Sequence, residues 1–271
     1  MRKRAWPTDV SADRRKYLNG PFGQIHIHLW GDIHKARDVL ICLPPSPYSG
    51  RAFDTIAPHL AKDRCVIAVD YPRLDKKKEA SIAKFALVAQ AVVNFVGAEK
   101  RRVLVGFHTG CLVAAEASLI CGSDVDRIII IDVPFFTPEV QAKIKAQKPG
   151  YFRISKDFSD LQSAWDRSVG KQRDNLSALR SFELFVDHIS AGHSAWYPFA
   201  AAFTYDCASQ FSKISTSCYV IATQAGLHNE SLSAALAIER SVLIETPEIK
   251  VSVLEAAAED TAIVIQQALE E

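Results

Sequence analysis

The sequence lacks the features that would place the chain in a membrane or on a nucleic acid. No apolar run approaches the roughly 18 residues that a membrane-spanning helix needs. The 32 basic and 31 acidic residues leave a net charge of +1, which gives no electrostatic attraction for a polyanion. The basic N-terminus has no apolar stretch behind it, so we expect no secretory signal. We therefore expect binding to neither membranes nor nucleic acids.

Paired cysteines are also missing. The six cysteines have no CxxC spacing, and most of them lie within apolar runs, where they resemble small buried side chains. His26 and His28 lie on one face of an alternating segment, and we interpret them as solvated strand residues rather than a metal pair. These observations predict a cytoplasmic chain with no disulfide framework, no metal site and no cofactor.

Strand-like and helix-like segments alternate through the first half of the sequence. A hairpin is predicted around residues 20–23, and a helix over residues 82–96 with Ser81 as its N-cap. Continuous apolar runs, typical of strands covered on both faces, occupy residues 39–43, 65–70, 103–105 and 127–133. This alternation predicts an α/β fold with a mostly parallel sheet and helices on both faces.

The pattern changes after residue 136. Polar helices alternate with aromatic residues over residues 137–211, which predicts a helical cap inserted into a core made of residues 1–136 and 212–271. Within the second part of the core we expect a strand at 217–222, a last strand at 250–254 and a closing helix at 262–269.

The stretch 101–117 contains the most informative motif. An apolar strand runs into Gly106-Phe107-His108-Thr109-Gly110, and a helix of small apolar residues follows. The turn is so tight that a Cβ atom at Gly106 or Gly110 would collide with neighbouring backbone. This unit resembles the nucleophile elbow of the α/β-hydrolase superfamily, in its single-domain members with a helical cap. The resemblance extends over about residues 20–271 and implies the α/β-hydrolase fold.

The residues that carry catalysis in that superfamily are replaced here, so the elbow is degenerate. His108 stands where the nucleophilic serine is expected, and Ala225 or Gly226 stands at the acid position. Glu259 falls where the catalytic histidine is expected. Asp132 is an alternative acid, which we interpret as structural. The resemblance therefore implies no serine-type acyl transfer.

Two further features belong to the same candidate site. The backbone amides of Ser46 and Thr109 correspond to the two donors of an oxyanion hole. Aromatic residues of the cap are expected to line an enclosed pocket against the core. Our pocket candidates are Pro45, Phe107, Phe135, His193 and Trp196.

Three functions remain open. The first is binding of a small apolar or aromatic ligand between core and cap, by a monomer or homodimer, without serine-type hydrolysis. The second is an active hydrolase or lyase-like enzyme, in which His108, paired with Glu259, acts as base or nucleophile. The third is a protein-interaction module that uses the aromatic residues of the cap.

Overall fold

One eight-stranded sheet forms the centre of the molecule. The structure is a computed structural model that describes residues 14–72, 80–147, 156–170, 176–190, 192 and 196–270. Its strands are β1 (Arg14–Gly20), β2 (Gly23–Trp30), β3 (Asp38–Leu43), β4 (Cys65–Val69), β5 (Arg101–Phe107), β6 (Arg127–Ile131), β7 (Ser217–Thr223) and β8 (Ser241–Thr246). The spatial order is β1-β2-β4-β3-β5-β6-β7-β8, with β3 to β8 parallel and the β1–β2 hairpin antiparallel. The predicted, mostly parallel sheet is confirmed.

Helices cover both faces of this sheet. They are α1 (Ala57–Leu60), α2 (Ile82–Val96), α3 (Thr109–Cys121), α4 (Pro138–Gln147), α5 (Phe158–Ser168), α6 (Ala178–Ser190), α7 (Trp196–Ala202), α8 (Cys207–Phe211), α9 (His228–Ala237) and α10 (Ala258–Glu270). Buried residues of α2, α3, α8 and α9 pack on one face, and those of α1 and α10 on the other. Among the described residues, no helix combines the length and apolarity needed to cross a bilayer.

Among the described residues, the segment between β6 and β7 contains helices joined by turns and loops, and no strand. Helices α4 to α8 lie in it, and Trp165 of α5 packs edge-on against Phe185 of α6, with ring centroids 5.0 Å apart. Helix α6 also contacts the short 3-10 helix Gly50–Phe53 that follows β3. The assignment of residues 137–211 to an inserted cap stays a prediction.

The last strand differs from the sequence-based prediction. Strand β8 occupies Ser241–Thr246, whereas residues 250–254 form no strand. Because β8 is an edge strand, Val242 and Leu243 are 41% and 39% exposed, although they belong to a short apolar run of the kind that is typical of buried strands. Val253 and Leu254 are buried because their loop packs against the core beside α10. The prediction of a strand over 250–254 is wrong.

Candidate functional site above the β5–α3 turn

The turn between β5 and α3 is as tight as its two glycines indicate. A Cβ atom at Gly106 would lie 2.5 Å from the carbonyl oxygen of Gly110, and one at Gly110 would overlap the carbonyl oxygen of Leu43. His108, at the tip, has φ 49° and ψ −116°, a conformation that L residues rarely adopt. Its backbone N–H donates to Ile131 at 3.2 Å, which helps to hold the strained turn in place.

A cavity of about 290 Å³ lies above this turn. It is bounded by the loop after β3, the tip of the turn, helix α6 and the loops after β7 and β8. The lining residues are Pro45, Ser46, Tyr48, Ala52, Phe107, His108, Leu184, Ala225, Ser252, Val253, Leu254 and Glu255. The cavity therefore sits at the carboxyl ends of the parallel strands, where ligands bind in open α/β sheets.

The imidazole of His108 is uncharged at neutral pH. Burial lowers its pKa to about 4, because the charged form loses hydration in the cavity wall. The ring packs against Phe107, with centroids 4.1 Å apart. Within the described residues, no hydrogen bond reaches the imidazole from another side chain or from the backbone. A carboxylate partner that would raise the basicity of His108 is thus missing from this part of the chain.

Among the described lining residues, Glu255 contributes a carboxylate to the cavity, and this carboxylate is already paired. Nη2 of Arg180 donates to Oε1 of Glu255 at 2.6 Å, and Oγ1 of Thr55 donates to Oε2 at 2.6 Å. Arg180, from α6, is buried and also donates to Oδ2 of Asp54 at 3.4 Å. Burial opposes the charge of Arg180, but hydrogen bonds and charges from Glu255 and Asp54 outweigh it, so the pKa of Arg180 is raised. The ion pair joins α6 to the loop after β8.

Glu259 does not take the place that we predicted for it. It lies exposed in the first turn of α10, does not line the cavity, and forms no hydrogen bond or ion pair with His108. The error follows from the misplaced last strand: the loop after β8 turns Ser252, Val253, Leu254 and Glu255 toward the cavity before α10 begins. The pairing of His108 with Glu259 is therefore corrected.

The two predicted oxyanion-hole residues occupy different positions. Ser46 lines the cavity, in the loop after β3. Thr109 is buried outside the cavity lining and begins α3, where a backbone N–H has no acceptor within its own helix. Their joint role in holding an oxyanion stays a prediction.

The predicted pocket residues separate into three groups. Pro45 and Phe107 line the cavity. Phe135 does not line it, because its ring turns back onto the core against Phe211, with centroids 5.5 Å apart. His193 and the side chain of Trp196 lie outside the described part of the structure. The sequence analysis missed Tyr48, Leu184 and Glu255. Of these three, only Tyr48 lies in a segment, the loop after β3, that the sequence had already assigned to the site through Pro45 and Ser46.

The positions considered for the catalytic acid provide no carboxylate to the cavity. Ala225 lines the cavity at the end of β7. Asp132 is fully buried elsewhere: its Oδ1 accepts from the backbone N–H of Thr223 at 3.0 Å, and its Oδ2 accepts from Oγ1 of Thr223 at 2.7 Å. These bonds join the ends of β6 and β7, which is a structural role.

Solved structures with the same architecture include esterases and other hydrolases. An esterase from Thermogutta terrifontis is 15% identical with a TM-score of 0.69, covering 95% of this chain and 98% of that one. An esterase from Rhodococcus sp. ECU1013 is 16% identical with a TM-score of 0.72, covering 94% and 98%. The enol-lactonase from Burkholderia xenovorans LB400 is 15% identical with a TM-score of 0.73, covering 94% and 100%.

These similarities define the fold of the chain. The protein has the α/β-hydrolase fold, as the motif around His108 predicted. No family model matches the sequence. No curated protein matches it either.

Proposed function

We propose that the chain binds a small, mainly apolar molecule in the cavity above His108 and does not hydrolyse it by serine-type acyl transfer. The observation that carries this proposal is the uncharged imidazole of His108 at the tip of the β5–α3 turn. Serine-type hydrolysis needs a hydroxyl nucleophile that is hydrogen-bonded to a base, and an acid that orients the base. His108 supplies no hydroxyl, and its imidazole has no hydrogen-bonded partner among the described residues.

The lining of the cavity indicates the chemistry of the ligand. Apolar side chains provide most of the wall: Pro45, Ala52, Phe107, Leu184, Ala225, Val253 and Leu254. The negative charge of Glu255 is compensated by Arg180, so the cavity offers no free charge from that pair. His108 and Ser46 can each hydrogen-bond to one neutral polar group. A neutral molecule with an apolar body and a carbonyl or hydroxyl group fits this arrangement.

The size of the cavity limits the ligand further. Its volume of about 290 Å³ is at the lower end of the range for ligand cavities, roughly 300–1,000 Å³. Acetophenone, an aryl ketone, and 2-hexanone, an aliphatic ketone, are therefore suitable probes. Comparing the two tests whether the ligand is aromatic.

Binding can be tested with two matched tryptophan variants of α6. Leu184 lines the cavity, whereas Leu179, on the same helix, is 60% exposed. We expect Leu184→Trp to fill the cavity and weaken ketone binding at least about tenfold, and Leu179→Trp to leave it unchanged. Calorimetric titration or ligand-detected NMR would measure both. If neither ketone binds, or if both variants bind like the wild type, the proposal is wrong.

A second candidate function is catalysis by His108 as base or nucleophile. The positive φ of His108 favours it, because strained backbone is concentrated at functional sites. Against it, a base with a pKa of about 4 accepts protons poorly near neutral pH. We expect p-nitrophenyl butyrate to be hydrolysed no faster by the wild type than by His108→Ala. Turnover that His108→Ala abolishes would establish the enzyme and contradict the binding proposal.

A further inference from the structure

His26, His28 and Asp70 meet on one face of the sheet, outside the cavity described above. His26 and His28 are two residues apart on β2, so both side chains project from the same face. Asp70 directly follows β4, which pairs with β2 through Ile27 and Val69. The backbone N–H of Asp70 donates to the carbonyl oxygen of His26 at 3.0 Å, which makes the two residues cross-strand neighbours.

The three side chains already touch through atoms that can bind a metal. Nδ1 of His26 lies 2.7 Å from Oδ2 of Asp70, and Nε2 of His28 lies 3.1 Å from Oδ1. The donor atoms all lie within 4.8 Å of one another. The side chain of His28 is 3% exposed, which corrects its interpretation as solvated, whereas those of His26 and Asp70 are 20% and 26% exposed. The cluster therefore has a buried floor and an opening to solvent.

We propose that His26, His28 and Asp70 bind one divalent transition-metal ion of the zinc type. Two imidazole nitrogens and one carboxylate are a donor set that such ions accept, and water can reach the open side to complete the coordination. Zinc bonds of about 2.0–2.2 Å in a tetrahedron place donor atoms roughly 3.4 Å apart. The observed separations bracket that value, so small side-chain rotations bring the three donors to an ion.

Neighbouring groups hold the donors in position. Oδ1 of Asp70 accepts the backbone N–H of Gly50 at 2.7 Å, which orients the carboxylate in the way that outer contacts orient metal ligands. The ring of Tyr17 lies 4.9 Å from that of His26, and the ring of Trp30 stacks at 6.3 Å from that of His28. The site thus rests on two paired strands and a fixed loop.

The charges and hydrogen bonds around Asp70 and His28 are compatible with a bound cation. Among the described residues, no lysine or arginine forms an ion pair with Asp70. Nδ1 of His28 is buried without a hydrogen-bond partner in the same part of the chain, and Nε2 lies within hydrogen-bond distance of Oδ1 of Asp70. The neutral imidazole can hold its proton on Nε2 and donate to Asp70, or hold it on Nδ1 and leave the lone pair of Nε2 for a metal ion between the two side chains.

The test uses the full chain without an affinity tag, freed of metal with a chelator. Titration with ZnCl2 is expected to show one ion bound per chain, and CoCl2 is expected to give visible ligand-field bands. His26→Gln removes one donor at a partly exposed position and is expected to weaken Zn²⁺ binding at least about 100-fold and to abolish the cobalt bands. Asp70→Asn keeps an acceptor for the N–H of Gly50 and is expected to have a similar effect.

The matched control is His228→Gln. Nε2 of His228 lies 3.2 Å from Oε2 of Glu245, a histidine–carboxylate pair that is not part of the cluster. We expect this variant to bind Zn²⁺ like the wild type, with circular dichroism showing that all variants are folded. No stoichiometric binding by the wild type, or equal binding by the wild type and His26→Gln, would overturn the proposal.

Discussion

Gly110 lies where the first turn of α3 passes the end of β3. A Cβ atom at this position would overlap the carbonyl oxygen of Leu43. Both segments are buried in a close-packed interior, so neither can move aside without disturbing its neighbours. Because Gly110 has no side chain, the loop that carries Ser46 can approach the turn that carries His108 this closely.

We expect Gly110→Ala to lower the free energy of unfolding by about 2–4 kcal/mol, because the overlap is with backbone rather than with a flexible side chain. Gly170→Ala is the control, since a Cβ atom there would meet nothing closer than 3.9 Å. Its effect should stay within about 0.5 kcal/mol. Urea unfolding followed by circular dichroism measures both variants, and equal effects would contradict this account of Gly110.

Helix α6 is fixed to the core by charged hydrogen bonds at two places. Nη2 of Arg180 donates to the carbonyl oxygen of Arg51 at 2.8 Å as well as to Glu255. Further along the helix, Oδ2 of Asp187 accepts the backbone N–H of Ser49 at 2.9 Å. These bonds connect α6 to the loops after β3 and β8, which line the cavity on two sides. The position of α6 therefore determines how far the cavity is closed.

Arg180→Met tests this attachment. The variant would leave the carboxylates of Glu255 and Asp54 in a largely buried setting without Arg180, and losing one partner of a buried ion pair costs about 3–5 kcal/mol. Lys35→Met removes a pair with Asp32 in which the lysine side chain is 86% exposed, and should change stability by less than about 1 kcal/mol. Chemical unfolding measures the two free energies.

A double variant separates the ion pair from simple packing. Arg180→Met combined with Glu255→Met removes both charges, so it should destabilise the protein less than the sum of the two single variants. Strict additivity, or an Arg180→Met effect no larger than that of Lys35→Met, would show that this ion pair does not anchor α6.

Across the whole molecule, the sequence predicted the features that leave a local signal. The buried strands β3 to β7 appear as short apolar runs, and the β5–α3 turn requires Gly106 and Gly110. The edge strand β8 contains only the three apolar residues Val242, Leu243 and Ile244, and it is half exposed. Because residues 250–254 form a loop rather than the last strand, Glu255 and not Glu259 reaches the cavity.

Contacts between distant segments could not be predicted in this way. His26 and His28 are visible as a pair, but Asp70 joins them only because β2 pairs with β4, and nothing in either segment specifies that pairing. Similarly, Arg180 meets Glu255 across 75 residues of sequence, and Leu184 reaches the cavity from the same helix. The fold could thus be predicted from the sequence more completely than the site.

The stability of the whole molecule should also report the protonation of His108. Its pKa is about 4 in the folded chain against an ordinary value of 6.5, so between these pH values the unfolded chain binds more protons. Above pH 6.5 the imidazole is neutral in both states and does not affect stability. As pH falls from 6.5 toward 4, protonation of His108 in the unfolded chain lowers the free energy of unfolding. Since Asp132 and Asp54, whose pKa values burial raises, act in the opposite direction, only a comparison with His108→Asn isolates the contribution of the histidine.

We expect the free energy of unfolding of the wild type to fall by about 2 kcal/mol more than that of His108→Asn between pH 7 and pH 4.5. Urea unfolding at several pH values measures the difference, and NMR titration of the imidazole gives the pKa directly. Parallel curves for the two proteins would mean that His108 is hydrated and titrates normally. In that case the imidazole would be charged through much of the acidic range, and the cavity would select an anion rather than a neutral ligand.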